Sequence, residues 1–255
     1  MQEPSSESAP DPEEELVEKF PHIPRARGAQ PRWKRWTSIE RELRALKGPL
    51  LAGVDEVGRG PIAGPVVACA VIMPGDEPAI RGVDDSKKLT AEEREKLAPK
   101  IRAKAIAFGI GAASVHEIDT INIYQASRLA MTRALSRLSV RPNHVIIDGN
   151  RIRTLPVAHT PVPHGDARCY SIACASILAK VTRDYLMTRL AVKYPAYTWD
   201  HNAGYTTRAH VAGLISSGIT PHHRRSFTRI NELLEQLERQ GDIEAPISIS
   251  SEITS

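Results

Sequence analysis

The segment GVDEVGRGP, residues 53–61, constrains the fold more than any other stretch of the chain. It follows the apolar run Leu50–Val54 and precedes a second one, Val66–Met73, so a Gly/Pro-rich turn joins two short β-branched strands in the pattern of a hairpin. Two adjacent carboxylates, Asp55 and Glu56, stand at the end of the first strand. Neighbouring strand side chains point to opposite faces, so both can reach one site only where the strand ends or bulges. Gly58 and Gly60 permit that irregular backbone and a close approach to a ligand.

Strand and helix patterns alternate through the rest of the chain. Residues 89–104 are charged and helix-like, with Thr90 placed as the cap, and 105–114 form a small-residue strand candidate. Residues 122–138 repeat apolar side chains at helical spacing. Val145-Ile146-Ile147 is a continuous apolar run that stops at Asp148-Gly149, as a buried strand does at the carboxyl edge of a sheet. A shorter strand is expected near 155–159, a long helix over 170–192, and helical pieces from 206 to 237. The alternation implies an α/β domain with a mixed sheet and a helical C-terminal part.

The flanks read differently. Residues 1–20 carry seven acidic side chains and one lysine, a net of −6, and are too polar to build a core. Residues 21–48 hold eight basic and two acidic side chains, with Trp33 and Trp36 among them; Ser38, Glu40, Leu43 and Leu46 suggest a short capped helix there. Residues 1–48 are therefore expected to be a flexible extension, 49–240 the folded domain and 241–255 a second loose tail. The formal net charge of +4 conceals this asymmetry: without the acidic tip the remaining 235 residues carry +10, which suits a polyanionic partner. The basic stretch and its tryptophans are candidates for phosphate contacts and base stacking. The N-terminus has neither the basic start nor the apolar core of a secretory signal, and no apolar stretch approaches the roughly 20 residues of a bilayer span. Cys69, Cys169 and Cys174 form no CxxC pair, which disfavours a disulfide framework or zinc cluster and suits a reducing cytoplasm.

The acids define the chemistry. Asp55 and Glu56 end one strand, Asp148 ends another, and Asp166 lies in the loop His164-Gly165-Asp166-Ala167-Arg168 before the long helix. Strand-end and loop carboxylates can converge at the carboxyl edge of a sheet. Four clustered acids repel unless hard cations neutralise them, and Mg²⁺ or Mn²⁺ prefers such oxygen ligands. Two such ions about 4 Å apart can activate water and stabilise the departing oxygen in phosphodiester hydrolysis. Taken singly, Asp148-Gly149 could be only a turn, and Asp166 only a loop acid or helix cap.

Six motifs in order, GVDEVGRGPIAGPVVACAVI, DDSKKLT, VIIDGN, ASILAKVTRD, AGYTTRAH and PHHRRSF, resemble those of ribonuclease HII over residues 51–227. The resemblance implies a ribonuclease H-like mixed sheet flanked by helices, with a small helical C-terminal extension. It also implies hydrolysis of the RNA strand in RNA–DNA hybrids and nicking on the 5′ side of ribonucleotides embedded in duplex DNA, leaving 5′-phosphate and 3′-hydroxyl ends. Carried over by motif, Asp55, Glu56, Asp148 and Asp166 correspond to the metal-binding carboxylates. Gly58, Arg59 and Gly60 correspond to the segment reading the ribose 2′-hydroxyl, Tyr205 to the tyrosine stacking on the next sugar, and Ser86 and Lys87 to a phosphate-contacting segment. A monomer working in the cytoplasm is expected. Two departures stand out: His164 occupies a position usually held by lysine, and Asn202-Ala203 stands where His-Lys is common. Both remove positive charge without removing a metal ligand. His222-His223-Arg224-Arg225 could supply it instead, or form only a solvated basic turn. A silent hybrid-binding protein and a small-metabolite phosphohydrolase are the competing readings; the intact acids disfavour the first, and nothing marks a closed pocket for the second.

Overall fold

The computed structural model describes residues 36–150, 152 and 155–240. The expectations for residues 1–35, including Trp33, and for the tail 241–255 lie outside these. The elements in chain order are α1 (Ile39–Lys47), β1 (Leu51–Val57), β2 (Val66–Ile72), α2 (Ala91–Lys104), β3 (Ala107–Ala113), α3 (Val115–Ser136), β4 (His144–Asp148), β5 (His159–Val162), the one-turn α4 (Gly165–Arg168), α5 (Tyr170–Lys193), a 3₁₀ turn (Pro195–Tyr197), the one-turn α6 (Trp199–Asn202), α7 (Arg208–Ser217) and α8 (Thr228–Gln240). The five strands form one mixed sheet in the order β3-β2-β1-β4-β5, with β1–β4 and β4–β5 parallel. Among the described residues, chain contacts group into two compact units: 36–55 with 70–108 and 138–177, and 56–69 with 109–137 and 178–240.

In the first unit, Ile39, Leu43, Leu51, Ile146, Val162, Cys169 and Ile172 form a buried cluster. Residues 39–47 therefore do not belong to a flexible extension. Glu40 of α1 accepts from the Ser171 amide at 2.7 Å and the Ser171 hydroxyl at 2.6 Å, which fastens the helix to the start of α5. Burial pushes the Glu40 carboxyl up, and these two bonds oppose the shift. Ser38 precedes α1 but makes no capping hydrogen bond through its side chain, contrary to the expectation of a capped start. The ring of Trp36 packs 5.5 Å from that of Tyr170, so it has an internal partner rather than standing ready for a base. Gly53 is required by close packing: a Cβ there would lie 2.4 Å from the Ser171 carbonyl carbon, so α5 rests directly on β1.

The second unit is built around Ile62, Met187, Tyr197, Trp199, Leu214 and Ile230. Helix α3 begins at Val115, seven residues before the apolar repeat signalled it, because Ser114 and Glu117 form a reciprocal capping box. The helix kinks at Asn122, where φ is 65°, and this break hides the first turns from a periodicity reading. In the first unit, Thr90 caps α2 with the same kind of box, as expected. Strand β5 runs over 159–162, later than the 155–159 anticipated.

Candidate metal centre and substrate loop

The sheet register brings the first two acids level. Leu51 pairs with His144 and Val54 with Ile147, so the next step places Asp55 beside Asp148. Asp148 in turn pairs with Val162 of β5, after which the chain turns through His164, in the left-handed conformation at φ 55°, into α4. That turn delivers Asp166. Carboxylate oxygens of Asp55, Asp148 and Asp166 all lie within 4.8 Å of one another, with Asp55 and Asp166 buried. The Gly165 amide donates to Asp148 Oδ1 at 2.6 Å and fixes its orientation.

Burial raises the Asp148 carboxyl above the usual range, and the neighbouring Asp166 charge raises it further; the amides of Gly165 and Gly149 and the Lys87 ammonium only partly offset this. Lys87 Nζ is 3.3 Å from Asp166 Oδ2. Partial burial pulls the Lys87 ammonium down, but the charges of Asp166, Asp85 and Asp55 outweigh it and hold the pKa above the ordinary lysine value. Its side chain is 79% exposed, so solvent screens this attraction. Three crowded carboxylates, one solvated ammonium, and neither Cys nor His in the group: this donor set fits a hard divalent cation, which oxygen ligands favour.

The other sequence-selected residues divide between the two units. Ser86 belongs to the first unit and is turned inward, its Oγ 2.7 Å from Ser176 Oγ, which leaves Lys87 as the solvent-facing member of that pair. Glu56, Gly58, Arg59, Gly60 and Tyr205 belong to the second. Glu56 Oε1 accepts from Arg59 Nη1 at 3.2 Å. Tyr205 is 50% exposed, not buried in helix packing, and a Cβ on Gly60 would sit 3.6 Å from its ring. The Asn202-Ala203 departure has a structural role: Asn202 Nδ2 donates to the Tyr197 carbonyl at 2.7 Å and its Oδ1 accepts from the Gly204 amide, stapling the turn that presents Tyr205.

The basic run 222–225 is divided: Arg225 is exposed, but the two central residues are buried. His223 and Arg224 are 1% and 0% exposed. Arg224 binds main-chain carbonyls of the GRG segment and Gly64, and the equally buried Arg183 binds those of Ala63, Pro65 and Ala203, roles the sequence reading did not assign. For Arg183 a signal existed, since its helical neighbours at i−4 and i+4, Ala179 and Met187, are both apolar. For Arg224 there was none, because nothing local separates a buried arginine from a solvated one.

A mixed sheet with flanking helices and a carboxylate cluster at adjoining parallel strand ends defines the class: an α/β protein whose site suits a hard divalent cation. Comparison with known proteins narrows this. The family model for ribonuclease HII matches residues 52–230. The ribonuclease HII of Granulibacter bethesdensis is 54% identical over 200 residues, covering 77% of this chain and 90% of that protein. Among solved structures, ribonuclease H2 of Pyrococcus horikoshii aligns with a TM-score of 0.63 at 24% identity, over 74% of this chain and 99% of that one. The Bst-RNase HIII structure in complex with Mn²⁺ aligns at 0.58 and 18% identity, over 89% and 81%. Both share the fold. The chain belongs to the ribonuclease HII family, and its activity is that of a metal-dependent endoribonuclease H acting on RNA–DNA hybrids. No helix among the described residues is long and apolar enough to cross a membrane.

Proposed function

We propose that this enzyme, besides cutting the RNA strand of hybrids, nicks duplex DNA on the 5′ side of a single embedded ribonucleotide, leaving 5′-phosphate and 3′-hydroxyl ends. The observation that carries this reading is the convergence of Asp55, Asp148 and Asp166 within 4.8 Å, in a chain that retains the full GRG segment and an exposed Tyr205. Asp55, Asp148 and Asp166 would hold Mg²⁺ or Mn²⁺, with Glu56, the next residue in the chain, as a fourth ligand. Divalent ions supply activation of water for attack and neutralisation of charge on the departing 3′ oxygen. The protein's own part is orientation. The Gly165 amide holds Asp148, and Lys87, whose ammonium is 3.3 Å from Asp166 Oδ2 and whose side chain is largely exposed, contacts a substrate phosphate in this reading. Gly58, Arg59 and Gly60 read the 2′-hydroxyl, the one group that distinguishes RNA from DNA at a single position. The exposed ring of Tyr205 stacks on the following sugar. The enzyme acts as a monomer in the cytoplasm, the compartment that suits its cysteine usage.

Tyr205→Ala tests the substrate half of this reading. A long hybrid offers many equivalent registers, whereas a duplex with one ribonucleotide offers one. The variant is expected to lose about tenfold in kcat/KM on the single-ribonucleotide duplex, as loss of one stacking contact implies, and markedly less on a long hybrid. Equal losses on the two substrates would remove Tyr205 from junction recognition.

A further inference from the structure

Two arginines with no exposed surface enclose the backbone of the GRG loop. Arg224 donates to the carbonyls of Gly58 at 2.6 Å, Arg59 at 3.0 Å and Gly64 at 2.8 and 2.9 Å. Arg183 donates to those of Pro65 at 2.9 Å, Ala63 at 3.1 Å and Ala203 at 2.9 Å. Every hydrogen bond of either guanidinium among the described residues ends on a main-chain oxygen. Burial, the costliest place for a charge, pulls the pKa of Arg183 down to about 10; burial together with the Arg183 charge pulls that of Arg224 down to about 9. Both remain charged at neutral pH. Gly58 is shaped to the same clamp: its φ is +92°, and a Cβ there would lie 2.1 Å from Arg183 Nε.

The peptide geometry gives this clamp a consequence. In a planar trans peptide, the carbonyl and the following N–H point in opposite directions. Drawing the Gly58 and Arg59 carbonyls onto Arg224 therefore turns the amides of Arg59 and Gly60 away from the buried guanidinium, and both residues are exposed. Among the described residues neither amide has a hydrogen-bond partner. Two consecutive donors stand ready for an oxygen ligand.

We infer that Arg224, seconded by Arg183, is a positioning residue for sugar discrimination: by fixing the direction of the 58–59 and 59–60 peptides it sets the amide donors that recognise the ribose 2′ oxygen. This rests on the proposed reading that the GRG segment contacts that oxygen. Lysine keeps the charge but replaces a fork of donors with a single ammonium, which cannot hold three carbonyls in one plane.

The test compares binding of two duplexes, one all-DNA and one with a single ribonucleotide, by full-length protein carrying Asp148→Asn to prevent cleavage. Arg224→Lys and Arg183→Lys are added separately. With Arg224→Lys, the preference for the ribonucleotide-bearing duplex is expected to fall by about tenfold, the worth of one well-placed hydrogen bond, while affinity for all-DNA duplex stays unchanged. Arg183→Lys should shift it in the same direction by less. A cooperatively folded Arg224→Lys protein with an undiminished preference overturns the assignment. So does an equal loss of affinity for both duplexes, which marks a purely structural role, and so does failure of both variants to fold. If the arginine-intact protein itself binds both duplexes alike, the proposed function fails rather than the clamp.

Discussion

Asparagine in place of Asp148 is expected to lower cleavage by about three orders of magnitude or more while leaving the fold intact. Asparagine has nearly the same size, and its Oδ1 can still accept the Gly165 amide that now bonds Asp148 Oδ1. What is lost is the anionic oxygen. Without metal the change relieves a strain, because burial and the Asp166 charge both disfavour ionised Asp148. The melting temperature of the metal-free variant should therefore equal or exceed that of the wild type. The stabilisation that Mn²⁺ confers on the wild type should shrink sharply, since a ligand stabilises only as far as the native state binds it. Asp55→Asn should behave in the same way. A folded variant with near wild-type cleavage would exclude the carboxylate cluster from the chemistry.

The second large effect lies in the buried pair His210 and His223. Their tautomers follow from their partners. Trp199 Nε1 can only donate, so His210 Nε2 accepts it at 3.1 Å, and His210 Nδ1 carries the proton given to the Tyr205 carbonyl at 2.9 Å. The Thr220 amide can only donate, so His223 Nδ1 accepts it at 2.9 Å, and His223 Nε2–H donates to His210 Nε2 at 3.0 Å. Neither ring can take a second proton without breaking a bond. Burial and then the neighbouring His210 hold His223 down to about 3, and burial pulls His210 the same way. The unfolded chain takes up protons from about pH 6.5 downward while the folded chain does not. The stabilisation is thus complete above pH 6.5 and is lost as pH falls toward 3. The loss over that interval is on the order of 4 kcal/mol for His223. Urea unfolding at pH 7, 6, 5 and 4.5 should show it, with His223→Asn flattening the dependence. The same slope in wild type and variant would contradict this account. Since Tyr205 supplies a carbonyl to the network, acid should loosen the turn that presents its ring.

The readable parts of the molecule were those with local causes. Apolar runs ending in acids located β1 and β4, and with them Asp55 and Asp148 at neighbouring strand ends. The Thr90 box located α2. The start of α3 was equally local, in Ser114 and Glu117, but a kink at Asn122 masked the periodicity that drew attention. What stayed hidden depended on partners distant in sequence. Glu40 is buried because Ser171, 131 residues away, donates to it, and so α1 reads as extension although it is core. Arg224 reaches carbonyls some 160 positions earlier in the chain. Ser86 faces inward because Ser176 meets it.

The most direct test of the central claim is end-mapping of the product from a DNA duplex carrying one ribonucleotide, incubated with full-length enzyme and Mg²⁺ or Mn²⁺. Cleavage that depends on the metal, falls 5′ to the ribonucleotide and leaves a polymerase-extendable 3′-hydroxyl opposite a 5′-phosphate is the predicted result. Metal-independent cleavage, or a cut on the 3′ side ending in a 2′,3′-cyclic phosphate, would contradict it, because the ribose's own hydroxyl would then be the nucleophile and the carboxylate cluster would have no part in the reaction.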